Sequence, residues 1–171
     1  FTDGSAKKER ATWAIVIIKE VCLDGRLTYA RVGYAAGEVN EALGPVDQNA
    51  MDAEATAIIA MVEYAIANCV APESHVYCHF DAMAVGFGAT GVYGMPQQRG
   101  STSTRQKAAR ILMTVLERRM EQQTGVCEGL HVCAHQGHPW NEMVDGMAKA
   151  VWHGWQPQTP FSFASGDLLR H

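Results

Sequence analysis

The sequence lacks an apolar run approaching the roughly 20 residues that a transmembrane helix requires. Its amino terminus also lacks a basic segment leading into an apolar stretch, which is how a secretory signal begins. We therefore expect no membrane segment and a location inside the cell, in the cytoplasm or the nucleus. With 171 residues, 47% hydrophobic and 19% charged, the composition is typical of one globular domain.

Basic residues are fewer than acidic ones: the sequence has 14 lysines and arginines and 18 aspartates and glutamates, and its net charge is −4. A protein that holds nucleic acid by bulk electrostatics depends on clustered cations that release counterions. The composition argues against that class of protein. Any affinity for nucleic acid must be local or supplied by another domain.

Cysteine pairing motifs are also missing, because the five cysteines are odd in number and none has CxxC spacing. We expect them to be reduced and structural. An initiating methionine is absent and the strand pattern at Phe1 is short, so we expect the chain to be part of a longer protein.

Strand patterns fill the first part of the chain. Residues 12–20 and 27–36 are rich in β-branched and aromatic residues, and Asp24-Gly25 between them indicates a hairpin. With a short strand at Phe1 they predict an antiparallel meander. The run of helix formers over residues 51–68 predicts the most secure helix.

The second part of the chain alternates strands and helices. The patterns predict, in order, a strand over 75–80, a helix over 82–87, a helix over 104–124, a strand over 130–134, and a helix from Pro139 to about Trp152. Strands linked by helices should be parallel with right-handed crossovers. The sequence therefore predicts a mixed α/β fold with a five-stranded sheet, three strands antiparallel and then two parallel, and helices on its faces. We expect one domain over residues 1–153 and a tail or linker over 154–171.

Four separated acids lie on different predicted elements, namely Asp3, Glu54, Asp81 and Asp145. Two divalent ions about 3.5 to 4 Å apart can activate water and stabilise the leaving oxygen in phosphodiester cleavage. Magnesium prefers carboxylate oxygens, and crowded carboxylates are tolerable when cations neutralise them. The acids therefore favour a two-metal phosphodiesterase. Taken singly, Asp3 is also typical of a turn, Asp81 of a strand end and Asp145 of a solvated helix face.

Glu54 shares a helical face with Ile58, Met61 and Ala65, so its carboxylate should lie among core residues and need a partner. We expect the neighbouring Asp52 and Glu63 to be solvated.

His135 follows the last predicted strand in a short turn, where an imidazole can transfer protons, although a structural role is the common alternative. A zinc site is a further alternative, because cysteines and histidines cluster here: Cys127, His131, Cys133, His135 and His138. Strand residues two apart lie about 6.6 Å from each other, which is a poor match for a closed tetrahedral site.

With these residues in view, the chain resembles type 1 ribonuclease H from Phe1 to about Trp152, most specifically in Thr2-Asp3-Gly4-Ser5 and in the segment from His135 to Asp145. The resemblance implies that Asp3, Glu54, Asp81 and Asp145 hold two Mg²⁺ or Mn²⁺ ions. It implies that His135 aids proton transfer or product departure. It also implies hydrolysis of the RNA strand of an RNA/DNA hybrid, leaving a 3′-hydroxyl and a 5′-phosphate.

The chain departs from the family where the hybrid would be recognised. Residues 6–10 replace an expected glycine-rich stretch, Ala50-Met51 replace polar residues, and the basic handle of some members is missing. The candidate substrate-binding residues are Gly4, Ser5, Gln48, Asn49, Arg105, Lys107 and Asn141. The cations of the 104–124 helix, which are Arg105, Lys107, Arg110, Arg118 and Arg119, either follow phosphates or solvate the outer face.

In its net negative charge and in the motif His-Pro-Trp-Asn-Glu at residues 138–142, the chain resembles the ribonuclease H module of a retroelement polyprotein. The resemblance implies that a reverse transcriptase domain of the same polyprotein holds the hybrid. Two alternatives stay open. One is a nuclease of the same fold that acts on another nucleic acid. The other is an inactive module that connects or binds.

Overall fold

The protein is described by a computed structural model that covers residues 1–8, 10–40, 49–69, 71–92 and 103–157. Across these ranges the elements are β1 (Thr2–Lys7), β2 (Arg10–Leu23), β3 (Arg26–Glu38), α1 (Ala50–Asn68), β4 (His75–Phe80), α2 (Met83–Thr90), α3 (Thr104–Gln122), β5 (Val126–His131) and α4 (Pro139–Trp152). The predicted mixed α/β class is confirmed. None of the helices in these ranges is long and apolar enough to cross a membrane.

β1, β2 and β3 form the predicted antiparallel meander. The β2–β3 hairpin closes at Leu23 and Arg26, and between them Asp24 and Gly25 have φ angles of 51° and 75°. Positive φ at both central residues matches the twist of the flanking strands, which is why this dipeptide indicates a hairpin.

β4 and β5 are parallel, with His75 opposite Val126. The predicted last strand is present, but its predicted bounds of 130–134 are wrong, because β5 occupies Val126–His131. Glu128 and Gly129 are weak strand formers and hid the pattern. Gly129 is required by packing, since a Cβ there would lie 2.3 Å from Cγ2 of Thr90.

Among the described residues, the strands form a three-stranded and a two-stranded hydrogen-bonded sheet, so the prediction of one five-stranded sheet is not confirmed. Side chains of β1 bridge to β4. The hydroxyl of Thr2 donates to the His79 carbonyl at 3.2 Å, and the ring of Phe1 stacks on His79 with centroids 4.3 Å apart.

Helices cover both faces of the meander. Trp13 and Ile15 point to the cluster that contains α1, while Ala14 and Val16 pack with Val144 and Ala148 of α4. This alternation follows from the two-residue repeat of a strand. As a result, α1 and α4 lie on opposite faces of the meander, and Asp3 lies on β1 between them.

Candidate metal centre

Gly4 allows β1 to touch the first turns of α1. A Cβ on Gly4 would lie 2.1 Å from the Glu54 nitrogen and 2.4 Å from the Ala53 carbonyl carbon, so no larger residue fits. The polar main chain of Gly4 also opposes part of the rise in the pKa values of the Asp3 and Glu54 carboxyl groups. This approach of two main chains brings together acids that are far apart in sequence.

Asp81 completes the first group of acids. It follows β4, which the Thr2 hydroxyl holds beside β1. One carboxylate oxygen each from Asp3, Glu54 and Asp81 lies within 4.8 Å of the others, the spacing of groups that can share a metal ion. Asp3 and Glu54 are 5% and 6% exposed, so the group is largely shielded from water. We call these three residues the acid cluster.

The surroundings of the acid cluster disfavour the charged forms of its carboxyl groups. Burial, followed by the charges of Asp81 and Asp145, raises the pKa of Asp3 to about 7. Burial, and then the charges of Asp3 and Asp81, also raises the pKa of Glu54 well above its ordinary value. Asp3 Oδ2 and Glu54 Oε2 are buried and make no hydrogen bond within the described ranges. Such oxygens are costly unless a cation or a proton satisfies them.

Asp145 lies in a second group, whose members are His135, Glu142 and Asp145, with one ligand atom of each within 4.8 Å of the others. The Asp145 charge raises the pKa of Asp3, so the two groups are electrostatic neighbours. The ammonium of Lys149 lies 2.7 Å from Oδ2 of Asp145. Sequence reasoning missed Glu142, although its spacing of three residues from Asp145 on one helix puts both on the same face.

His135 occupies an exposed turn between β5 and α4. Its φ is 53°, and that of Gly137 is 77°, so the chain turns sharply here. The turn presents the imidazole to solvent beside Asp145 rather than within the core.

The predicted substrate-binding residues differ in burial and in hydrogen-bond partners. Gly4 and Ser5 are half-buried on β1, and Lys107 is exposed on α3. Asn49 caps α1, since its Oδ1 accepts from the Asp52 nitrogen at 2.8 Å. Asn141 is buried and donates from Nδ2 to Oδ2 of Asp81 at 3.3 Å, so it touches the acid cluster. Gln48 lies outside the described residues.

Arg105 and Asp52 form a buried pair, with Nη1 and Oδ2 3.8 Å apart and both side chains 1% to 2% exposed. Arg105 also donates to the Asn40 carbonyl. The expectation that Asp52 is solvated is therefore wrong. Arg105, predicted either to follow phosphates or to solvate the outer face of α3, is buried instead. Burial of Glu63 raises its pKa to about 7, so its expected solvation is wrong as well. A helical pattern shows which face is apolar but not which polar side chains on two helices will meet.

The zinc alternative is not supported. All five of its residues fall in the described ranges, yet they form no group of ligand spacing there. All five cysteines of the chain are free thiols, and only Cys78 is fully buried.

No family profile matches the sequence, and no curated protein matches it. Among solved structures the chain is similar to a ribonuclease H1 from the halophilic archaeon Halobacterium salinarum NRC-1, with a TM-score of 0.56 and 17% sequence identity. The similarity covers 90% of this chain and 96% of that chain. At this identity the likeness shows the fold alone, and the fold of this chain is ribonuclease H-like.

Proposed function

We propose that the chain is a divalent-metal-dependent endonuclease that hydrolyses the RNA strand of RNA/DNA hybrids. The observation that carries the proposal is the acid cluster, in which three carboxylates from three elements lie within 4.8 Å in a shielded pocket. The ribonuclease H-like fold, with its five strands, supports the choice of reaction.

The acid cluster fits a hard divalent cation, Mg²⁺ or Mn²⁺. Its ligands are carboxylate oxygens, and buried oxygens of Asp3 and Glu54 have no hydrogen-bond donor within the described ranges. Asp3, Glu54 and Asp81 would hold one ion, and Asp145 with Glu142 and His135 would contribute to a second. When bound, two such ions supply a hydroxide nucleophile and stabilise the charge on the phosphate and the leaving oxygen.

The chain's own residues prepare the site. Asn141 holds Asp81 by a hydrogen bond and so fixes one carboxylate oxygen of the acid cluster. We propose that the imidazole of His135, which is exposed in the turn before α4, transfers protons between the site and solvent.

A hybrid is distinguished from DNA by the 2′-hydroxyls of its RNA strand. Asn49 lies at the start of α1, five residues before Glu54, and its Oδ1 is engaged in capping. We propose that its amide NH₂ donates to a 2′-hydroxyl. Gly4, Ser5 and Gln48 are proposed to contact the same strand, and Lys107 a phosphate.

We propose that another domain, such as a reverse transcriptase in the same polyprotein, also binds the hybrid. The net charge of −4 and the burial of Arg105 support this, because few cations are left to follow phosphates.

Cleavage of labelled duplexes tests the proposed function. Hybrid, double-stranded RNA and double-stranded DNA are compared with Mg²⁺, Mn²⁺ and a chelator. We expect metal-dependent cleavage of the hybrid alone, and a loss of about 100-fold or more in Asp81→Asn. Asp24→Asn is the matched control, because Asp24 lies in the exposed hairpin turn and asparagine tolerates its positive φ.

Three results would contradict the proposal in different ways. Equal cleavage by Asp81→Asn would remove the acid cluster from the mechanism. Preference for another duplex would change the substrate and keep the chemistry. Neither cleavage nor calorimetric binding of millimolar Mg²⁺ or Mn²⁺ would make the chain an inactive module.

A further inference from the structure

Two buried acids, Asp52 and Glu54, lie on opposite sides of the first turns of α1. Residues two apart on an α-helix project about 200° from each other. One carboxylate oxygen of Glu54 lies within 4.8 Å of a carboxylate oxygen of Asp3 on β1. Asp52 faces α3 instead, where it pairs with Arg105. The rotation of these turns about the helix axis therefore sets where the Glu54 carboxylate lies in the acid cluster.

The guanidinium of Arg105 holds α1 from the side away from the acid cluster. Its Nη1 lies 3.8 Å from Oδ2 of Asp52, and its Nη2 donates to the carbonyl of Asn40. Asn40 follows β3 closely, and the end of β3 is fixed to β2, because the Val39 nitrogen donates to the Ala11 carbonyl at 2.8 Å. Arg105 thus ties the start of α1 to the sheet as well as to α3.

Asp52 is firmly coupled to the main chain of α1. Its nitrogen donates to Oδ1 of Asn49 at 2.8 Å, and its carbonyl accepts from the hydroxyl of Thr56 at 2.7 Å. The residue is 1% exposed, so its side chain has little room to turn without moving the helix. A change at the Asp52 carboxylate is therefore passed to the turn that carries Glu54.

We propose that Arg105 is a positioning residue for the candidate metal centre, which fixes the rotation of the first turns of α1 through Asp52 and so holds Glu54 beside Asp3. An arginine suits this role because its planar guanidinium offers donors to two acceptors in a fixed geometry. The role replaces the phosphate contact predicted for Arg105. The inference rests on the metal binding put forward in the proposed function.

The test replaces the ion pair by an apolar pair. A double variant with Arg105→Met and Asp52→Leu removes one positive and one negative charge together, so the attraction of the site for a cation stays nearly the same. An apolar contact restores burial but has no preferred direction. We expect the dissociation constant for Mn²⁺, measured by isothermal titration calorimetry, to rise by about ten-fold. Urea unfolding should show a stability close to that of the unmodified chain.

A milder variant, Arg105→Lys, keeps the charge and decides the matter if the double variant does not fold. A single ammonium nitrogen does not reproduce the two-armed contact with Asp52 and Asn40, so we expect the dissociation constant to rise by about three-fold. Arg110→Met is the matched control. Arg110 lies on the same helix, but its Nη1 donates to the Ala89 carbonyl of α2 at 3.1 Å. Its replacement should lower the stability and leave the Mn²⁺ affinity nearly unchanged.

Two results would overturn the proposal alone. In the first, the Arg105 variants that fold bind Mn²⁺ as tightly as the unmodified chain. In the second, Arg110→Met weakens Mn²⁺ binding as much as they do, which would show that the affinity follows stability rather than the position of Glu54. A failure of the proposed function is distinguishable, because the unmodified chain would then bind no Mn²⁺, and this inference would fall with it.

Discussion

The ammonium nitrogen of Lys149 lies 2.7 Å from Oδ2 of Asp145, one turn away on α4. The hydrogen bond to Asp145 is the largest cause that raises the pKa of Lys149. This carboxylate of the second group is therefore already paired with a cation that belongs to the chain. A divalent ion that binds Asp145 must displace the ammonium or share the carboxylate with it.

Replacing Lys149 should tighten divalent binding at the second group. We expect Lys149→Met to lower the dissociation constant for Mn²⁺ by about five- to ten-fold, because the competing charge is removed. Isothermal titration calorimetry measures this change. Lys19→Met on the exposed part of β2 removes the same charge elsewhere and should bind Mn²⁺ like the unmodified chain. An unchanged affinity in Lys149→Met would mean that the ion does not use Asp145.

Glu63 should make stability depend on pH. Its pKa rises to about 7 on folding, so the folded chain holds the proton more tightly than the unfolded chain. Its contribution is favourable below the unfolded pKa of about 4.3 and is lost as the pH rises through about 7. We expect Glu63→Gln to increase the free energy of unfolding at pH 8 by about 1 to 2 kcal/mol, after allowance for partial solvation, and to have little effect at pH 4.

Urea unfolding at the two pH values provides the measurement for Glu63. Glu121→Gln is the control, because Glu121 is exposed at the end of α3 and its replacement should have little effect at either pH. A gain for Glu63→Gln that is equal at pH 4 and pH 8 would show that the side chain acts through packing rather than through its charge.

The side chain of Arg105 should stabilise the folded chain. We expect Arg105→Met to lower the free energy of unfolding by about 3 kcal/mol, because it leaves Asp52 charged and buried without its ion pair. Lys107→Met, two residues along the same helix and exposed, should change it by less than about 0.5 kcal/mol. Denaturant unfolding compares the two variants. Equal small effects would indicate that Asp52 becomes protonated or solvated at little cost.

Gly4 should be essential for the contact between β1 and α1. We expect Gly4→Ala to lower the free energy of unfolding by about 2 kcal/mol or more, because the added Cβ would overlap main-chain atoms of α1 that cannot rotate away. Gly88→Ala in α2 is the control, since its Cβ meets nothing within 4 Å and alanine favours a helix. Thermal unfolding measures both. A Gly4→Ala chain as stable as the unmodified one would mean that α1 can move aside cheaply.

The sequence was sufficient to predict the elements that hold the candidate metal ligands Glu54 and Asp81. Glu54 could be placed among core residues because Ile58, Met61 and Ala65 recur at helical spacing, and all three are buried. Asp81 could be placed after a strand because residues 75–80 are strongly apolar or β-forming. These signals are local, and local signals can be read from a sequence.

Features that depend on contacts between distant elements could not be predicted. The ion pair of Arg105 with Asp52 joins α3 to α1, and no pattern within either helix indicates it. Glu142 and Asp145 lie near His135 because the folded turn before α4 brings His135 back to that helix. β5 was misplaced because its pairing with β4 outweighs the weak strand propensity of Glu128 and Gly129.

The contact at Gly4 also couples the packing of the protein interior to the geometry of the acid cluster. Since main chain touches main chain there, the spacing of Asp3 and Glu54 depends on how deeply α1 is seated, and side-chain packing under the helix sets that depth. A mild interior substitution such as Ile58→Val, which removes one methyl group and no charge, should therefore change the affinity for the cation.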